Sequence, residues 1–83
     1  MKRKLLYVEW LDHTSNSSDG RWVSKEDLDK SGPELCHSVG WLHKQDKVSI
    51  TLVSSYGDDE DTGGGGDITI IKSCIVTRKV LDL

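Results

Sequence analysis

Near the start of the chain, Leu6, Val8 and Trp10 alternate with Leu5, Tyr7 and Glu9. This period of two predicts a β-strand over residues 4–12, with Leu6, Val8 and Trp10 on one face. A polar run, Thr14-Ser15-Asn16-Ser17-Ser18-Asp19-Gly20, then predicts a surface loop, and Arg21-Trp22-Val23 a short extended piece. Ser24 stands three residues before Asp27, with Val23 and Leu28 at the staple positions around it, which is a helix start. Glu26 and Asp27 fall in the first turn, where the helix dipole favours acids, and Gly32-Pro33 ends the run. A helix over residues 25–30 results, too short to stand without docking on something.

The remaining pattern is extended. Residues 35–43 predict a second strand, with His37, Val39, Trp41 and His43 on one face and Cys36, Gly40 and Leu42 on the other; Gly40 marks a bulge or sharp bend. Lys44-Gln45-Asp46-Lys47 is a polar turn, and Val48, Ile50 and Leu52 alternate with Ser49 and Thr51 as a third strand. Residues 57–67, acidic and then rich in glycine, predict a flexible loop. A fourth strand over 67–72 follows, then a tight corner at Ser73-Cys74 and a fifth strand over 75–81. Five short strands and one helical turn in 83 residues predict a single all-β domain, closed into a small barrel or strongly bent. Closure suits the size, because a barrel leaves few unpaired edges.

Composition narrows the function. Hydrophobic residues at 35% and charged residues at 30% are the mix of a folded chain. A chain this short buries only about 60–65% of its unfolded surface, which leaves no room for a deep two-domain cleft. No apolar run approaches the roughly 20 residues of a membrane span. Met1-Lys2-Arg3-Lys4 before Leu5-Leu6-Tyr7-Val8 starts like a secretory leader, but Glu9, Trp10 and Asp12 cut the apolar run short. The expectation is a cytoplasmic chain beginning at Met1. A net charge of −3 disfavours a dedicated nucleic-acid binder, although Lys2, Arg3 and Lys4 cluster apart from Asp58, Asp59, Glu60, Asp61 and Asp67.

Residues with chemistry to offer are few. Cys36 and Cys74 read as reduced small hydrophobes in a chain without a leader. With His37 and His43 they lack the paired spacing of a structural zinc site, so no metal or other cofactor is expected. No nucleophile motif is present, and a pocket is hard to build at this length, so the chain reads as a non-enzyme. The acidic run lacks the alternating ligands of a calcium loop, and Gly63 to Gly66 lead into a strand rather than the helix of a phosphate loop. Three tryptophans without a phenylalanine are more telling. Trp10 lies on the apolar face of its strand and reads as core. Trp22, beside a loop, and Trp41, between His37 and His43, are the candidate contact residues, since tryptophan dominates binding hot spots.

Gly40-Trp41-Leu42-His43-Lys44-Gln45-Asp46, followed by Val48, Ile50, Thr51 and Leu52, resembles the first signature of Sm-like proteins. Residues 68–75 resemble the second half of such a barrel, where a tight corner joins the last two strands. The helix of this chain follows its first strand, whereas Sm-like barrels begin with theirs, so SH3-like barrel is an equally good label. Ile71-Lys72-Ser73 stands where the Sm-like family carries an Arg/Lys-Gly pair of its RNA site. The whole chain also resembles small proteins of tailed bacteriophages and prophages, through Tyr7 to Trp10, Trp22 to Leu28, Ser38 to Leu42 and Ile68 to Ile75. That resemblance says where such a protein acts and carries no assigned chemistry; the residues themselves add the expectation of a non-catalytic accessory binding module that engages a host protein or sequesters a small ligand through Trp22, Trp41, His37 and His43. Val76 and Val80 on one face of the fifth strand, with Ile75 and Leu81 on the other, add the expectation of a homo-oligomer. The alternative is an Sm-like single-strand nucleic-acid binder using Lys2, Arg3, Lys4 and the tryptophan rings.

Overall fold

The structure, a computed structural model, describes residues 3–13, 22–59, 61 and 63–82. The polar loop expected at Thr14 to Gly20, together with Lys2, Arg21 and Glu60, lies outside them. The chain runs β1 (Leu5–Asp12), α1 (Lys25–Asp29), β2 (Glu34–Gln45), β3 (Ser49–Val53), β4 (Ser55–Tyr56), β5 (Gly64–Gly65), β6 (Ile68–Ile71), a 3-10 turn (Lys72–Cys74) and β7 (Ile75–Leu81). Five strands form one antiparallel sheet in the order β6-β3-β2-β1-β7, and β4 and β5 form a separate two-stranded hairpin. The fold is all-β with one short helix. Among the described residues no helix is long and apolar enough to cross a membrane.

The period-two pattern is what fills the inner face. Leu6 and Val8 of β1, Ile50 and Leu52 of β3, and Ile70 of β6 form the core and are essentially inaccessible to solvent. Trp10, Leu42, Ile68 and Ile75 close around them, half-buried. Trp10 keeps its indole N–H satisfied by donating to Ser38 Oγ at 3.0 Å. The two outermost strands, β6 and β7, are consecutive and separated only by the three-residue 3-10 turn. So short a link holds Ile71 near Ile75, so the sheet must curl to bring its two edges together at that end. Arg78 of β7 also donates to Gln45 at 3.2 Å, although the register sets Arg78 level with Ser38, seven residues earlier in β2, so β2 must bend to bring its far end to β7.

β2 differs from expectation in an informative way. It extends to Gln45 rather than stopping at His43, and its bulge falls at His43, where Leu42 faces Leu52 and Lys44 faces Thr51. Gly40 is not the bulge. A Cβ there would sit 3.0 Å from Leu52 Cβ and 3.1 Å from the Val53 carbonyl, so glycine permits β3 to close on β2. Val48 falls outside β3 and is 64% exposed, because the turn before β3 is built around Asp46. Asp46 Oδ1 accepts from the backbone N–H of Val48 (2.8 Å) and Ser49 (2.9 Å), and these bonds hold its carboxyl below the usual carboxylate range. Two further differences are small: β6 covers 68–71, and α1 ends at Asp29 under the Ser24 cap, with Ser24 Oγ accepting from Asp27 N at 3.1 Å. α1 buries none of its residues.

The loop expected over 57–67 contains structure. Gly64 and Gly65 pair with Tyr56 and Ser55, and Ser54 donates from both N and Oγ to the Gly65 carbonyl. A Cβ on Gly64 would lie 2.7 Å from Val53 Cγ1, so this glycine lets the hairpin lie flat on Val53, which is 4% exposed on the outer face. Gly66 turns the chain at φ +61°.

Two outcomes are expected. Leu52→Ala costs about 2–5 kcal/mol in chemical denaturation, whereas Val39→Ala, on the exposed face, stays within about 0.5 kcal/mol. For Asp46 the depressed carboxyl stabilises the fold at neutral pH, and that contribution disappears as pH falls through the lowered value. Thermal unfolding followed into acid then shows a shallower loss for Asp46→Asn than for the native chain.

Candidate functional site

The side chains with binding chemistry gather on the outer face, and the register explains why. Leu81, Leu5, Trp41 and Val53 lie opposite one another across β7, β1, β2 and β3. Beyond Leu5 the ladder continues by one bond, from Leu42 N to the Lys4 carbonyl at 2.8 Å, which carries Arg3 alongside the bulged His43. Arg3 Nη1 lies 2.9 Å from His43 Nδ1. A guanidinium has only donors, so His43 accepts on Nδ1 and carries no proton there. The Arg3 guanidinium carbon lies 4.6 Å from the centroid of the Tyr56 ring, the geometry of a cation over an aromatic face. Trp41 meets the same ring edge-on, 5.5 Å between centroids at 80°. Arg3, Tyr56 and Trp41 border a groove of 310 Å³, walled also by Lys4, Leu5, Val80 and Leu81 of β7, and Asp82 just after it. A smaller hollow of 260 Å³ lies on the other side of Tyr56, between it and the glycines of the hairpin.

The second cluster on this face is polar. Tyr7 Oη donates its one proton to Glu9 Oε1 at 2.7 Å and lies 2.8 Å from His37 Nδ1. With that proton spent, His37 donates from Nδ1 and Tyr7 accepts. The two rings stack at 6.1 Å and 14°. The carboxylate of Glu9 raises the Tyr7 phenol above its ordinary value of 10.0, since a phenolate there loses the bond and faces a like charge. Through Nδ1, His37 therefore donates and His43 accepts.

The candidates named from the sequence thus separate. Trp41 lines the groove, and His43 does not line it but contacts its Arg3. His37 lies four residues back along β2, about 13 Å away, in the Tyr7 cluster. Trp22 lines neither and is fully exposed ahead of α1. Tyr56 is the groove residue that pattern reading misses, and its signal was only its type: a tyrosine at the foot of a glycine-rich loop. Cys36 and Cys74 are unpaired and half-buried, and burial, with Glu34 and Asp12 nearby, pushes the Cys36 thiol up and away from a reactive thiolate. No three His, Cys, Asp or Glu side chains converge among the described residues.

No protein family, curated protein or solved structure matches the chain. The reading of the site therefore rests on its geometry.

The Tyr7 cluster is testable by spectrophotometric titration. One of the two tyrosines is expected to ionise later than an ordinary phenol, and Glu9→Gln brings that transition down while leaving the other in place.

Proposed function

We propose that the chain is a non-catalytic binding module that engages a partner through the groove of Arg3, Trp41 and Tyr56. The observation that carries this reading is the convergence of a tryptophan, a tyrosine and an arginine, three residue types of binding hot spots, around one half-open cavity. All three are only partly buried, so their rings and charge remain available. Its sheet belongs to the SH3-like or Sm-like class of small barrels on this reading. Support comes from the strand order, with β1 between β2 and β7, and from the 3-10 turn that joins the outer strands. The resemblance to phage and prophage proteins supports an accessory role in a host cytoplasm, against a host protein or a small ligand. Val76 and Val80, each more than half exposed on the edge strand β7, support self-association. Against single-stranded nucleic acid as the ligand stand Asp58, Asp59 and Asp61, two to five residues beyond Tyr56.

The test compares Trp41→Ala with Trp22→Ala. Immobilised native protein and Trp22→Ala are expected to capture the same partner from host lysate, and Trp41→Ala to lose it while keeping its circular dichroism spectrum. A partner retained by Trp41→Ala overturns the groove assignment. Salt-sensitive binding of a deoxythymidine oligonucleotide, lost in Trp41→Ala, replaces a protein partner with nucleic acid. Light scattering on the same samples reports the oligomeric state.

A further inference from the structure

We infer that the Tyr56 face of the groove is a receptor for a guanidinium group, covered in this structure by the chain's own Arg3, and that its external ligand is an arginine of a basic polypeptide segment. The inference rests on the groove reading above and names the chemistry of its ligand.

The internal occupant displays that chemistry. A guanidinium needs a flat π-face and hydrogen-bond acceptors at its edge, and Arg3 finds both. The face is Tyr56 at 4.6 Å, and the acceptor is His43 Nδ1 at 2.9 Å. Trp41, perpendicular to Tyr56, adds a second aromatic wall. A guanidinium lies flat on the ring while its edge donates to the imidazole and is weakly hydrated, whereas an ammonium is a compact and strongly hydrated donor, so the site prefers arginine to lysine. The remaining charges point the same way. With Arg3 set aside, the groove keeps one cation, Lys4, against Asp82 in its wall and Asp58, Asp59 and Asp61 on the hairpin that carries Tyr56. Such a setting repels an anionic ligand and attracts a basic one. The open groove beside Arg3, 310 Å³ with Arg3 in its wall, is at the small end of ligand sites, sized for a short peptide segment rather than a folded surface.

Arg3 can leave without disturbing the fold. Its backbone is followed by the Lys4 to Leu42 bond that extends the β1–β2 ladder, so displacement needs only a side-chain rotation. The internal cation then acts as a competitor, lowering the apparent affinity for any external arginine by the fraction of time it holds the site.

The experiment uses the full chain and three capped tripeptides, Gly-Arg-Gly, Gly-Lys-Gly and Gly-Glu-Gly, with the Trp41 indole N–H followed by NMR. Arg3→Ala is expected to bind the arginine peptide about tenfold more tightly than native protein, as for a competitor present about nine-tenths of the time. It should bind the lysine peptide more weakly and the glutamate peptide not at all. Adding Tyr56→Phe preserves binding and adding Tyr56→Leu removes it, while an unchanged Trp10 indole signal shows that each variant is folded. Equal affinity of native protein and Arg3→Ala, or binding that survives Tyr56→Leu, overturns the inference. If instead the glutamate peptide or a deoxythymidine oligonucleotide shifts Trp41, the groove stands as a binding site and the guanidinium assignment falls. If no probe shifts Trp41 in either protein, both fall.

Discussion

The molecule depends on a strand that changes partners. β2 pairs with β1 along Glu34 to Trp41 and with β3 along Trp41 to Gln45. Trp41 alone belongs to both ladders at full register, and the extra residue at His43 follows almost at once. A bulge raises local twist and bends the strand that carries it. That bend turns β3 and β6 over the inner face of β1, where Ile50, Leu52 and Ile70 meet Leu6 and Val8. Gly40 is the other half of the device, since the backbone of β3 at Val53 comes within reach of any side chain placed there.

Pattern reading recovers the parts of this that are local. Alternation identifies Leu6, Val8, Ile50 and Leu52 as inward because a half-buried strand leaves no other period. Ser24 announces α1 because its side chain satisfies a backbone donor three residues away, and β7 is bounded as expected because a tight turn precedes it. What escapes is whatever depends on two distant segments. Gly40 and His43 trade roles because a glycine in a strand means either a bulge or a close approach, and only the position of β3 decides between them. The run Gly63 to Gly66 reads as a loop by composition, yet two of its glycines pair with Ser55 and Tyr56, and at Gly64 Val53 leaves no room for a side chain. Tyr56 enters the site through that hairpin, and no spacing along the sequence connects it to Trp41 or Arg3.

Local electrostatics explains more than net charge does. A chain at −3 reads as a poor partner for anions, while three basic residues at its start read as an exception. In the fold Arg3 is already engaged, with its charge over one aromatic face and a donor on one imidazole. The acidic residues counted against it from the sequence lie partly on the same hairpin as the ring it covers. Among the described residues, Arg3 and Lys4 of the basic cluster line the groove, and the acid that lines it is Asp82.

The placement of the groove also separates binding from stability. The five residues that carry the core all face inward, and no wall of the groove is among them. Trp41 contributes its backbone to both ladders, which any residue with a β-compatible conformation can do, and its side chain to the outer face alone. Small domains have little stability to spare, so a site that drew on core side chains would trade fold for function at every substitution. Here the outer row of Leu5, Trp41 and Leu81 can change without touching the inner row, since alternate residues of one strand answer to different neighbours. The exception is Val53, the outer-face residue that the hairpin seals, and it ties the position of Tyr56 to the same strand that supplies Ile50 and Leu52 to the core.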